Sequence, residues 1–235
     1  AAVGGEACPR ALEIRVRGLV QGVGFRPMVW RLASQLGVVG QVWNDGDGVA
    51  IRAAGSDAAL AALLTGLRRE PPPLARVDSV EIVPYGGEVG PDFRILASEP
   101  TEARTQIAPD AAMCRDCAAE VIDPFADRFR YPFTTCTHCG PRYTITRQLP
   151  YDRRMTSMAA FPQCPRCLAE YTEPLDRRFH AEPNACPTCG PRLTFLDAKG
   201  EAVAGTDPIT EVVQRLAAGA IIAIKGLGGF HLACD

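Results

Sequence analysis

From Leu12 the chain alternates, with Leu12, Ile14 and Val16 apolar and Glu13, Arg15 and Arg17 charged between them. A period of two predicts a half-buried strand. The period then lengthens. Phe25, Met28, Val29, Leu32, Ala33 and Leu36 recur at the three- and four-residue steps of a single helix stripe. Pro27 lies in the first turn, where a missing N–H does no harm, and Gly37 follows the end. Gly40–Trp43 and Val49–Ala53 flank an Asn-Asp-Gly-Asp-Gly turn and predict a hairpin. Ser56 is placed to cap a second helix with Leu60, Leu63, Leu64 and Leu67 on one face, and Pro71 to Pro73 stop it. Strand-like stretches follow at Val77–Val83 and Phe93–Leu96. The order β-α-β-β-α-β over about 85 residues predicts an α+β, ferredoxin-like sandwich. Residues 1–11, which lack a pattern, are expected to be disordered.

The rhythm is lost between residues 100 and 197, which show little amphipathic helix. Tyr143–Thr146 and Leu193–Leu196 have the look of short strands. It returns at Pro208–Ala218, a helical pattern, and at Ala220–Ile224, an apolar strand, before a Gly226-Leu-Gly-Gly loop. A strand of that apolarity needs partners, and none is expected in the residues that follow it. The expectation is that the sequence is the amino-terminal part of a longer protein.

Cysteines organise the middle segment. Eight of the ten form four CxxC pairs, Cys114/Cys117, Cys136/Cys139, Cys164/Cys167 and Cys186/Cys189, separated by 18, 24 and 18 residues. A shift of 50 residues lays the first four on the last four. Cys-x-x-Cys-Gly-Pro-Arg recurs at 136–142 and 186–192, and "DPFADRFR" (123–130) echoes "EPLDRRFH" (173–180). One four-cysteine unit has been duplicated. Two thiolates on a tight turn can face one ion, and two such hooks supply the four sulfurs of a tetrahedral zinc site. Gly140 and Gly190 after the second hooks suit the sharp turn. A disulfide framework fits poorly, because no secretory signal opens the chain and redox CxxC motifs usually come singly. Four hooks can pair in three ways; the duplication favours closure within each repeat. Four thiolates leave no open position, so both zincs would be structural. Cys8 and Cys234 are left over as plain cysteines. His138, inside a knuckle, and His180, six residues before Cys186, are read as surface or packing residues.

Charge narrows the function. Lys+Arg total 25 and Asp+Glu 27, a net of −2, so there is no basic excess for nucleic acid. Residues 101–197 hold 12 Arg against 12 Asp and Glu, and two four-thiolate zinc sites would add about −4. A zinc ribbon that grips nucleic acid should show the opposite balance. Arg outnumbers Lys by 23 to 2, read first as coding bias. No apolar run approaches the roughly 20 residues of a membrane span, and no signal peptide opens the chain. A cytosolic protein in a reducing compartment is expected, with no nucleic-acid or membrane partner.

Between the first strand and first helix lies Gly18-Leu-Val-Gln-Gly-Val-Gly-Phe-Arg26. Gly22 and Gly24 let successive N–H groups converge on one point at a helix amino terminus, and Arg26 adds a planar charged fork for two phosphate oxygens. The loop matches neither the Walker A nor the dinucleotide pattern. Asn44, in an Asn-Asp-Gly run, is by itself ordinary turn chemistry.

"GLVQGVGFR" (18–26) followed by "LGVVGQVWNDGDGVAI" (36–51) resembles the acylphosphatase signature, over the whole first domain. That resemblance implies that Arg26 and the loop at Gln21, Gly22, Val23, Gly24, Phe25 and Arg26 hold the phosphoryl group of an acyl phosphate. Asn44 would orient the attacking water. No catalytic metal is implied. An acylphosphatase-like domain followed by the tandem four-cysteine segment resembles, in particular, the HypF-type carbamoyltransferases of [NiFe]-hydrogenase maturation. The tail "IIAIKGLGGFHLACD" (221–235) is similar to the opening of the YrdC-like nucleotide-binding domain that comes next in that family. The implied division is a disordered start at 1–11, an acylphosphatase-like domain at 12–98, and a tandem zinc-finger segment at 99–197 with repeats at about 110–147 and 160–197. A truncated YrdC-like start follows at 198–235. The implied activity starts from carbamoyl phosphate, passes through carbamoyl adenylate made from ATP, and ends on the carboxy-terminal cysteine of a HypE-type partner as the precursor of cyanide ligands. This stretch would carry the hydrolysis step, with two structural zincs, and bind ATP only incompletely. The alternative is a stand-alone acylphosphatase fused to a zinc-ribbon binding module.

Overall fold

The computed structural model describes residues 10–99, 102, 104–226 and 229–235; Cys8 and most of the expected disordered start lie outside them. Strand β1 (Arg10–Leu19) begins two residues inside that start. Helix α1 (Phe25–Gln35), strands β2 (Val39–Asp45) and β3 (Gly48–Gly55), helix α2 (Asp57–Arg69), strands β4 (Arg76–Pro84) and β5 (Phe93–Ile95) follow in the expected order. The sheet runs β4-β1-β3-β2-β5. Its ladders are antiparallel except at the edge, where β5 pairs parallel with β2.

The period-two residues face inward. Ile14, Val16, Val42, Val49 and Ile51 are buried under Val29 and Ala33 of α1 and Leu60, Leu63 and Leu67 of α2. At about 25 cal/mol per Å² of apolar area withdrawn from water, this shared core is the main stabilising term. Ser56 caps α2 as expected, its Oγ accepting from Ala59 N at 3.2 Å. Gly40 sits at φ 146, and a Cβ there would lie 2.0 Å from the Arg52 carbonyl oxygen across the ladder.

The cysteine segment corrects two expectations. Each unit contains a helix, α3 (Arg115–Ile122) and α4 (Pro165–Thr172), starting directly after Cys114 and Cys164. The short strands expected at Tyr143–Thr146 and Leu193–Leu196 are turns and irregular chain, each with one isolated bridge, Thr146 to Thr156 and Leu196 to Ala202. Ile145 is buried because it packs with Tyr131, Met158 and Ala185 in a small cluster, not because it pairs in a sheet.

The chain through Cys189 forms one compact unit and residues 190–235 another. In the second, α5 (Pro208–Ala217) is capped by Asp207, whose carboxylate accepts from Thr210 N at 3.0 Å. The apolar strand begins two residues later than expected, as β6 (Ile222–Gly226), because Gly219 at φ 81 extends the helix exit. It does find a partner among the residues that follow, where none was expected: β7 (Gly229–Ala233) pairs antiparallel with it. No helix among the described residues is long and apolar enough to cross a membrane.

Candidate functional site

The glycine loop leaves β1 and enters α1. Gly22 and Gly24 hold φ of 73 and 82, a left-handed conformation that favours glycine. Gly24 is the residue that caps α1, and no side chain bonds the helix's first N–H groups. Those amides have no acceptor within the helix and carry the positive end of its dipole. Val23 and Phe25, by contrast, point into the core. Gln21 anchors the loop's base: its Nε2 donates to the Asp45 and Gly48 carbonyls at 2.7 Å each, and its Oε1 accepts from Tyr151 N at 2.8 Å.

The cysteine segment roofs this loop, a feature that sequence reasoning missed. Arg142, of the repeated Cys-Gly-Pro-Arg motif, is fully buried and donates through Nε to the Gly22 carbonyl. Its other nitrogens reach the carbonyls of Cys136 (2.9 Å), Thr137 (3.0 Å), Cys139 (3.0 Å) and Pro141 (2.8 Å). One side chain therefore binds the knuckle to the loop. A Cβ on Gly24 would lie 3.2 Å from Thr137 Cβ. The signal was available in the duplicated motif, but only for a structural arginine.

Arg26 is buried, and its Nη2 donates to Glu182 Oε1 at 2.6 Å; Ser98 Oγ lies 3.5 Å from Nη1. Glu182 is itself fully buried, which pushes its carboxyl pKa up against the opposing pull of Arg26. Removing either partner of such a buried pair costs about 3–5 kcal/mol. Between loop and roof is a cavity of about 20 Å³, lined by Gly22, Gly24 and Arg26 below and Tyr151, His180 and Glu182 above. That is room for a single water.

Asn44 is buried at the end of β2 but lies outside the cavity lining. Its Nδ2 donates to the Tyr151 carbonyl at 2.9 Å, while Oδ1 is buried without a hydrogen-bond partner. The Tyr151 hydroxyl is likewise buried and unpartnered, and burial pushes its pKa up. His180 donates or accepts through Nδ1 with Tyr171 Oη at 3.2 Å; burial and the nearby Arg26 charge lower its pKa to about 3.

The eight hook cysteines converge within their own repeats, as two groups of four sulfurs. Sulfur separations are 3.8, 3.7 and 3.5 Å along Cys114, Cys136, Cys139 and Cys117. They are 3.7, 3.8 and 3.6 Å along Cys164, Cys186, Cys189 and Cys167. Thiolates 2.3 Å from a central zinc form a tetrahedron with edges of about 3.8 Å, so both donor sets fit that ion. Arg177 donates to Cys117 Sγ at 2.9 Å and Arg128 to Cys167 Sγ at 3.6 Å, offsetting thiolate charge. Cys234 is exposed and belongs to neither group. His138 joins neither, its backbone N–H donating to Cys136 Sγ at 3.4 Å.

Comparison with other proteins matches both halves of this arrangement. The Acylphosphatase family model matches residues 12–95, and the HypF finger model matches 113–146 and 164–196. Carbamoyltransferase HypF2 of Cupriavidus necator is 59% identical over 227 residues, covering 95% of this chain and 28% of the relative. An acylphosphatase of Thermotoga maritima is 45% identical over 89 residues, 37% of this chain and 96% of the relative. A crystal structure of full-length HypF in the phosphate- and nucleotide-bound form superposes with a TM-score of 0.91 at 39% identity, over 98% of this chain and 30% of that one. The chain thus spans under a third of the length of these full-length relatives. Its acylphosphatase-like sheet, its two four-cysteine units and their joint match place it in one family: the chain belongs to the HypF carbamoyltransferases.

Proposed function

We propose that this chain carries the carbamoyl-phosphate-hydrolysing step of a HypF-type carbamoyltransferase. The observation that carries the reading is the left-handed Gly22/Gly24 loop opening uncapped onto α1 with Arg26 buried beside it. The loop from Gln21 to Arg26 binds the phosphoryl group, through its free amides and the Arg26 fork. Asn44 positions water, and its unpartnered buried Oδ1 is an acceptor suited to that task. Water attacks phosphorus, the bond to the acyl oxygen breaks, and phosphate and carbamate leave. Such a transfer needs positioning and charge stabilisation more than covalent chemistry. No metal takes part in it.

Each four-cysteine group holds a structural zinc, which supplies folding energy to a segment with little apolar core. Such thiolates require a reducing compartment, in keeping with a cytoplasmic protein. The proposed division is an acylphosphatase-like domain at 12–98, zinc fingers at 99–197, and a YrdC-like start from 198. In the whole protein the carbamate then meets ATP in the YrdC-like domain. The carbamoyl group finally passes to the carboxy-terminal cysteine of a HypE-type partner, toward cyanide ligands of a [NiFe] hydrogenase. The test is phosphate release from carbamoyl phosphate by the purified chain. Arg26→Ala should abolish it; a variant as active as the parent would overturn the site assignment.

A further inference from the structure

Glu182 stands where the two cysteine units stop being copies of each other. Fifty residues earlier the corresponding position is Pro132, and Tyr171, which also touches the carboxylate, corresponds to Val121. Glu182 Oε2 accepts from Tyr171 Oη and Arg153 N, each at 3.1 Å, and the Glu182 carbonyl accepts from Arg153 Nη1 at 2.5 Å. All three donors belong to the cysteine segment, so the carboxylate is fixed without help from the first domain. Its other oxygen is the one that meets Arg26 Nη2 at 2.6 Å. The two side chains are 1% and 7% exposed. Among the described residues of its own domain, the Arg26 side chain hydrogen-bonds only the Ser98 hydroxyl, at 3.5 Å.

A buried charge is expensive, and the sister unit does without one here. We propose that Glu182 is the positioning residue for Arg26. By taking Nη2 it fixes the plane of the guanidinium beside the glycine loop. The phosphate site of the first domain is then completed by the second cysteine unit. This inference rests on Arg26 binding the phosphoryl group. A carboxylate this close to an anion site could instead act as a competitor for Arg26, and the two roles predict opposite signs.

The test compares Glu182→Ala and Glu182→Gln in the full-length protein. The readouts are KM and kcat for carbamoyl phosphate, and the inhibition constant of inorganic phosphate. Loss of one charge-assisted hydrogen bond to Arg26 should raise KM and the phosphate inhibition constant about tenfold in Glu182→Ala, with a smaller change in kcat. Glu182→Gln retains an acceptor oxygen and should recover most of the loss. Melting temperature and bound metal, measured on both variants, separate positioning from misfolding. Unchanged or tighter phosphate binding in folded, metal-loaded Glu182→Ala would overturn the proposal. So would equal losses in Ala and Gln that simply follow the folded fraction. Arg26→Ala separates the two levels. If it binds phosphate normally, the phosphate-site reading falls and the positioning role with it; if it loses binding while Glu182→Ala keeps it, the positioning role alone falls.

Discussion

Arg128 and Arg178, fifty residues apart, bind each other's cysteine unit in the same way. Arg128 Nε donates to the Ala185 carbonyl at 2.9 Å, and Arg178 Nε donates to the Thr135 carbonyl at 3.0 Å. Arg128 pairs with Glu170 of the second unit, and Arg178 with Glu120 of the first. Ala185 and Thr135, like Glu170 and Glu120, are themselves fifty residues apart. The duplicated units therefore meet about a local two-fold relation, each closing the other's polar shell. Arg130 and His180, at φ 57 and 53, make the same turn after their helices.

That reciprocity predicts a large and shared stability loss on breaking one arm. Arg128 is fully buried, and Arg128→Ala would leave the Glu170 carboxylate and the Ala185 carbonyl without it. The expected cost is about 3–5 kcal/mol. Because the pair spans both units, chemical denaturation should show both losing stability together. A loss under 1 kcal/mol would mean the pair behaves like a surface ion pair.

Metal removal should act unequally on the first compact unit. The sheet domain has its own core of Ile14, Val16, Ile51, Leu63 and Leu67, whereas the cysteine units' own hydrophobic cluster is small, four buried residues, Tyr131, Ile145, Met158 and Ala185. Chelation is expected to melt the cysteine segment while the sheet domain keeps a cooperative transition. Through Arg142 and Glu182 it should also weaken phosphate binding. Calorimetry with and without chelator, alongside a metal count of two per chain, checks this. A single transition unmoved by chelation would refute a structural role for the metal.

Two glycines in β2 and the turn before it separate strain from collision. Gly37, at φ 66, has nothing within 4 Å of a would-be Cβ, so Gly37→Ala should cost about 1–2 kcal/mol of conformational strain. A Cβ on Gly40 would lie 2.0 Å from the Arg52 carbonyl oxygen, and Gly40→Ala must push β2 off β3. A loss of about 3 kcal/mol or more is expected there. Equal melting temperatures for the two variants would contradict the close approach.

The sheet domain was legible because each element presents one face to a single core, so period and burial coincide. Helices α3 and α4 were not, and the reason is specific. The only buried residue in each is a metal-hook cysteine, Cys117 or Cys167, so there is no apolar stripe to read. The spacing of the hooks was enough to foresee the two four-sulfur clusters, since four ligands for one ion must meet at one point. It carried no trace of the roof over the loop. Arg26 and Glu182 are 156 residues apart and neither belongs to a periodic pattern. A buried pair of that kind is visible only once the chain is folded. The breaks in the repeat at Pro132 against Glu182 and Val121 against Tyr171 are sequence signs that the two units differ around this pair.

His180 gives the roof a pH dependence of definite sign. Burial, and then the Arg26 charge, lower its pKa from 6.5 to about 3, so the folded chain holds it neutral while the unfolded chain protonates it below about 6.5. Below that point the unfolded state binds more protons, and stability falls as the pH drops toward 3. The slope for one proton is at most about 1.4 kcal/mol per pH unit, which places about 2 kcal/mol of loss at pH 5. The groups facing the ring are Tyr171, Phe179 and Arg26, with Asp152 partly opposing the shift. His180→Gln removes the titration and should flatten the stability profile between pH 7 and 5 by that amount, measured by denaturant unfolding at each pH. If the parent and variant profiles run parallel across that range, the imidazole does not titrate differently on folding.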